Sequence, residues 1–195
     1  MWARMAARGR WGAALLACSL MTWLGATPVE MKGEAAAAEQ RPPHVVKADF
    51  LLRFLDYIES PALVQTPPGG AVVMVVGGSD EVLQALQLAT QGKRVGNHPV
   101  VCRGMLEGET LEQVHLLYLG PDIDVARHPV VKLAQARPVV LVTDVPRGDP
   151  VGVINFIWAH DRVRFDVSLD AAERAGLKVS SRILQVAHRV VVGSR

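Results

Sequence analysis

Chemistry in this 195-residue chain would have to come from six histidines, two cysteines, one close pair of aspartates and a glycine turn. The histidines are His44, His98, His115, His128, His160 and His188, and no two of them stand at a metal-ligand spacing. His98 and His128 each precede proline, which reads as solvated loop. Asp122 and Asp124 would serve acid–base catalysis if they shared a cleft, but beside Pro121 they read as turn residues. Gly77-Gly78-Ser79-Asp80 has the place of an anion-binding turn between a strand and a helix. It lacks the Lys-Ser/Thr of a phosphate loop, and Asp80 would repel phosphate, so a tight turn capped by Ser79 or Asp80 is the better reading. Neither a nucleophile elbow nor a Ser-His-Asp spacing is present, and the expectation is no catalytic residue, no metal and no cofactor.

The most informative polar cluster lies late in the chain. In Val153–Trp158, Ile154, Phe156 and Trp158 alternate with Val153, Asn155 and Ile157; in Arg162–Val167, Val163, Phe165 and Val167 alternate with Arg162, Arg164 and Asp166. With Ala159-His160-Asp161 between them, the two runs predict an antiparallel hairpin. Matching the apolar faces puts Phe156 opposite Val163, Ile154 opposite Phe165 and Asn155 opposite Arg164. Asn155, Arg162, Arg164 and Asp166 then share a polar face. Two readings stand side by side: a solvated cross-strand pair, or a recognition patch in which arginine and Trp158 near the tip engage a partner. Arg182 is added to this candidate binding set because a cation at a helix start opposes the helix dipole.

These residues need a scaffold, and the hydrophobic pattern supplies one. Arg41-Pro42-Pro43 marks an extended lead-in at 39–44, followed by a helix with Val46, Phe50, Phe54, Leu55 and Ile58 at helical spacing. Ala71–Val76 is a valine-rich run that suits a strand buried on both faces. Pro99–Arg103, Val114–Leu119 and Pro138–Thr143 are further strands; helices are expected after Ser79 and from Pro129 to Ala136. Alternation of this kind gives right-handed crossovers. Two helices, Leu169–Ala175 and Ser181–Val191, are expected to finish the chain. The predicted fold class is α/β, a mainly parallel sheet flanked by helices, with a C-terminal antiparallel hairpin and two terminal helices.

The first 38 residues read as a secretory leader: Arg4, Arg8 and Arg10, then an apolar run from Trp11 to Ala26, then an alanine-rich exit. Cleavage after Ala26 and cleavage after Ala38 both fit. The formal net charge of +2 belongs to this leader, since without residues 1–38 the chain keeps 17 of its 21 basic and 17 of its 19 acidic residues. A neutral chain with no basic run does not suit nucleic acid. Cys18 leaves with the leader, and Cys102 is then alone, either as a buried inert thiol or as a reactive or intermolecular one.

Gly152-Val-Ile-Asn-Phe-Ile, Arg162-Val-Arg-Phe-Asp-Val-Ser and the run from Ala171 to Ala187 resemble the YfiR-like family of bacterial periplasmic proteins. The opening Val46-Lys47-Ala48-Asp49-Phe50-Leu51, Val73–Gly77, Gly92-Lys93-Arg94-Val95 and His115–Gly120 fall where that family has related elements. The resemblance covers nearly all of the chain after the leader. It implies one domain over 45–195, placed in the periplasm of a Gram-negative bacterium. It further implies a regulator that represses a membrane-bound diguanylate cyclase by binding its periplasmic sensor region, lowering cyclic di-GMP and restraining biofilm formation. Many members carry cysteines in the strand matching Val72–Val76 and just before His115; this chain has none there, so redox control is not carried over. The alternative is a periplasmic small-ligand sensor or carrier using the C-terminal edge of the parallel sheet. A small-molecule ligand and a homodimer stay open as further partners, and a hydrolase or transferase has no constellation to support it.

Overall fold

The computed structural model describes residues 41–146 and 148–193; the expected leader, with both cleavage sites and Cys18, lies outside them. Helix α1 spans Pro43–Tyr57, with Pro42 as its N-cap and proline in its first turn. Proline fits there because the first helical N–H groups have no partner inside the helix. The extended lead-in expected through His44 therefore stops at Pro42. Ala48, Leu51, Phe54 and Leu55 form the buried stripe of α1. Strand β1 (Ile58–Glu59) and the one-turn helix α2 (Pro61–Val64) follow, the latter capped by Ser60, whose hydroxyl also donates to Pro138 O at 2.7 Å.

The remaining elements are β2 (Val72–Gly77), α3 (Asp80–Ala89), β3 (Arg94–Val95), β4 (His98–Gly104), β5 (Val114–Leu119), α4 (Pro129–Gln135) and β6 (Val140–Thr143). After these come β7 (Ile154–Ala159), β8 (Arg162–Ser168), α5 (Leu169–Arg174), β9 (Lys178–Val179), α6 (Ser181–Val186) and β10 (Arg189–Val191). Eight strands form one sheet in the order β10-β8-β7-β6-β5-β2-β4-β3, while β1 and β9 pair apart from it. The central pairs β4·β2, β2·β5, β5·β6 and β6·β7 are parallel, as is β8·β10, whereas β7·β8 and β3·β4 are antiparallel.

Continuous apolar runs dictate the middle of the sheet, since a strand covered by helices on both faces has no solvent side to keep polar. Every residue of β5 and β6 is buried. One core lies under α1 and α3, with Leu51, Phe54, Leu86, Met74, Leu116, Tyr118 and Phe156. The other lies under α4 and joins Val75, Leu117, Leu119 and Leu141 to Val130, Val131 and Ala134. Phe50 and Phe54 meet Phe165 edge-on at 5.3 and 5.2 Å between ring centroids, which fastens α1 to the hairpin.

Two further expectations are corrected. The hairpin turn has two residues, His160 and Asp161, both at positive φ (53° and 56°), and Ala159 and Arg162 pair directly. Two left-handed central residues make the turn whose twist matches that of paired strands. The register therefore moves by two, keeping every side chain on its expected face: Asn155 faces Asp166, Phe156 faces Phe165 and Arg164 faces Ile157. The second correction concerns the terminal helix expected over Ser181–Val191. It stops at Val186, Ala187 turns extended (φ −64°, ψ 146°), and the β-branched run Val190-Val191 pairs as β10 with Val167 and Ser168.

Candidate functional site

The hairpin face expected to be a solvated polar patch divides into a buried half and an exposed half. Asn155 and Asp166 are buried (2% and 3% exposed): β6 and the loop after it meet Asn155, and Arg189 of β10 meets Asp166. Asn155 Oδ1 accepts from the Thr143 hydroxyl (2.8 Å) and the Val145 N–H (2.9 Å), and its Nδ2 donates to Val145 O (2.9 Å). One amide thus ties β6, β7 and the following loop together. Asp166 Oδ2 accepts from Arg189 Nε and Nη2 at 3.0 and 2.9 Å, while its Oδ1 is buried with no partner among the described residues. Arg189 reaches on to Asp149 Oδ1 (3.2 Å) and Gly148 O (3.0 Å). Its guanidinium is held charged above the ordinary arginine range, first by the hydrogen bond to Asp166.

The exposed half is the tip. Arg162 and Arg164 are exposed on the same face and make no ion pair among the described residues. Trp158, opposite Val163, is 60% exposed. A groove of about 600 Å³ runs beside the tip, lined among others by Pro146, Asp149, Ile157, Trp158, His188 and Arg189. Arg182 is exposed on α6 and is not part of the hairpin; its own N–H bonds the capping Ser180 hydroxyl at 3.3 Å.

Sequence reasoning missed Arg189, because reading its segment as a helix hid its alignment with Asp166. It also missed Asp144, which follows the buried strand β6 and accepts from the Tyr118 hydroxyl at 2.9 Å while pairing with Lys47 of α1. A carboxylate directly after an all-apolar strand was the available signal. His115 was a third miss, a lone polar residue inside an apolar run. It sits where the β2·β5 register shifts, between Val73/Val114 and Met74/Leu116. Its Nδ1 accepts the Val73 N–H (3.0 Å), which leaves Nε2 protonated to donate to Thr66 Oγ1 (2.8 Å), whose hydroxyl donates to Ala62 O (2.9 Å). Burial lowers the His115 pKa below the usual value.

The groups with chemical potential are occupied structurally. Burial pushes the Cys102 thiol up to about 12, which keeps it protonated. Asp124 closes a turn, accepting from the Ala126 N–H at 3.1 Å. Ser79 caps α3 through the Val82 N–H. At the C-terminal ends of β2 and β5, where open α/β sheets place ligands, the two following loops pack closely against each other. A Cβ at Gly120 would overlap the Gly78 carbonyl, and one at Gly78 (φ 68°) would lie 2.6 Å from Ile123. No group of three or more His, Cys, Asp or Glu side chains is placed to hold a metal among the described residues, and no described helix is long and apolar enough to cross a membrane.

No curated protein matches the chain. A family model, DUF4154, described as YfiR/HmsC-like, matches residues 44–188, from the start of α1 to the residue before β10. With that match running through the sheet and both of its cores, the chain belongs to the YfiR/HmsC-like family.

Proposed function

We propose that this protein is a periplasmic regulator that represses a membrane-bound diguanylate cyclase by binding the cyclase's periplasmic region, and that the tip of the β7–β8 hairpin makes the contact. Family membership supports a regulator of this kind. The observation that carries the contact is the exposure of Arg162 and Arg164 on one face of the tip and of Trp158 on the other, with neither arginine engaged in an ion pair among the described residues. Interfaces draw disproportionately on tryptophan and arginine, and a cation left without an internal partner is available to an external one. Action by binding also suits a domain whose carboxylates, thiol and buried histidine serve turns, caps and packing. The small-ligand alternative looks to the C-terminal edge of the parallel sheet, where the loops after β2 and β5 pack closely at Gly78, Gly120 and Ile123.

The test is genetic and chemical together. Deleting the protein raises cyclic di-GMP in cells that carry the partner cyclase and leaves it unchanged in cells that lack it. An unchanged cyclic di-GMP level in both backgrounds overturns the proposal.

A further inference from the structure

The two-residue turn fixes more than the register. Ala159 and Arg162 flank it directly, which makes them a hydrogen-bonded pair, and the ladder then alternates: Ile157/Arg164 and Asn155/Asp166 are bonded pairs as well. The residues between them, Val163 and Phe165, turn their backbone N–H and C=O groups away from β7. On that outer side β10 covers only Asp166–Ser168, and the His188 N–H takes the Phe165 carbonyl at 2.8 Å. Among the described residues, the Val163 N–H, the Val163 C=O and the Phe165 N–H are left as a short open edge.

We propose that this edge of β8, at Arg162–Phe165, receives an extended acidic segment of a partner protein as an added strand. The inference rests on the reading of this protein as a protein binder and names how the partner is held. Main-chain groups would supply pairing, as in other cases of strand addition, and the side chains would supply selection. Arg162 and Arg164 flank Val163 on one face of the sheet, so an incoming strand meets two cations at alternate positions. The acids that flank the edge along the chain are Asp161, in the turn, and Asp166, which is buried and paired with Arg189. A second copy of this chain is disfavoured at the same place. Antiparallel pairing about Val163 would set Arg162 of one copy opposite Arg164 of the other, and like charges directly opposite destabilise a sheet. An acidic strand removes that conflict.

The experiment is amide hydrogen exchange on the protein alone and mixed with the purified periplasmic region of the cyclase, with complex formation followed separately by titration. The expected result is a complex in which the Val163 and Phe165 amides gain protection. Two variants accompany it. Val163→Pro removes the outward N–H while leaving the β7 ladder intact, and is expected to weaken binding at least about tenfold. Arg162→Glu with Arg164→Glu, at exposed positions, is expected to retain the fold and lose binding to the same extent. A complex with no added protection at Val163 overturns strand addition and leaves the proposed function standing. Absence of any complex overturns both. Protection of Val163 in the protein alone, rising with its concentration, overturns the acidic occupant in favour of a second copy.

Discussion

Asn155 and Asp166 stand directly opposite each other across β7 and β8, yet neither side chain bonds the other: Asn155 clasps the Val145 backbone and Asp166 takes Arg189. A pair that alternation alone would place in water instead holds two flanking segments to the hairpin. The polar residues of this face thereby divide into those that build the sheet and those that remain free to meet a partner.

Arg189→Ala removes the counter-charge of a buried carboxylate whose other oxygen already has no partner. Full removal of one partner of a buried pair costs about 3–5 kcal/mol; with the Arg189 side chain 45% exposed, water screens part of this, and about 1–3 kcal/mol is expected. Urea unfolding measures it. A loss below about 0.5 kcal/mol would show that the pair does not hold β10.

Arg164→Ala, at an exposed position with no ion pair, should change stability by no more than about 0.5 kcal/mol while weakening binding to the cyclase's periplasmic region. Unfolding and titration on one preparation separate the two effects. A variant that unfolds readily would make Arg164 a structural residue.

His115 makes the protein acid-sensitive in a defined direction. Burial lowers its folded pKa beneath the ordinary 6.5, so the unfolded chain binds a proton that the folded one refuses. The stability it contributes is present above about pH 6.5 and is lost as pH falls below that value towards the folded pKa. Protonation would also place an N–H on Nδ1, against the Val73 N–H that now bonds there. His98 is the titratable neighbour whose charge adds to this lowering. Unfolding free energies from pH 7.5 down to 5 should fall, and should fall less in His115→Gln; equal slopes in the two proteins would remove His115 as the cause.

Cys102 should be almost inert to alkylation. With its pKa near 12, it carries roughly a thousandfold less thiolate at pH 8 than an ordinary cysteine does. In a chain starting at Glu39, labelling by iodoacetamide should become rapid only on unfolding. Labelling of the folded protein at the rate of a free thiol would contradict the burial.

Strands buried on both faces were legible as short apolar runs bounded by turn residues, and those of the hairpin by their alternation. Val72–Gly77 and Val114–Leu119 are of the first kind. The α1 stripe was equally legible through Phe54 and Leu55. Three features were not. Val190 and Val191 fit a helical stripe and an edge strand equally well, and only the Asp166–Arg189 pairing decides between them. The hairpin register was ambiguous by two because such a shift moves no side chain to another face, and the twist of the turn decided it. The burial of Asn155 depends on the loop through Val145, for which alternation within one strand carries no signal. The candidate site was therefore legible as a face and not as a division of labour.

β10 gives the molecule an order of completion. Its pairing partner β8 is made earlier, and so is every other strand of the sheet. Until β10 docks and brings Arg189 to Asp166, the hairpin carries an uncompensated carboxylate at its margin. Any change that keeps β10 from docking would leave the same defect. The docking of one three-residue strand thus decides whether the edge beside the arginines is sealed at Asp166 or left unlatched.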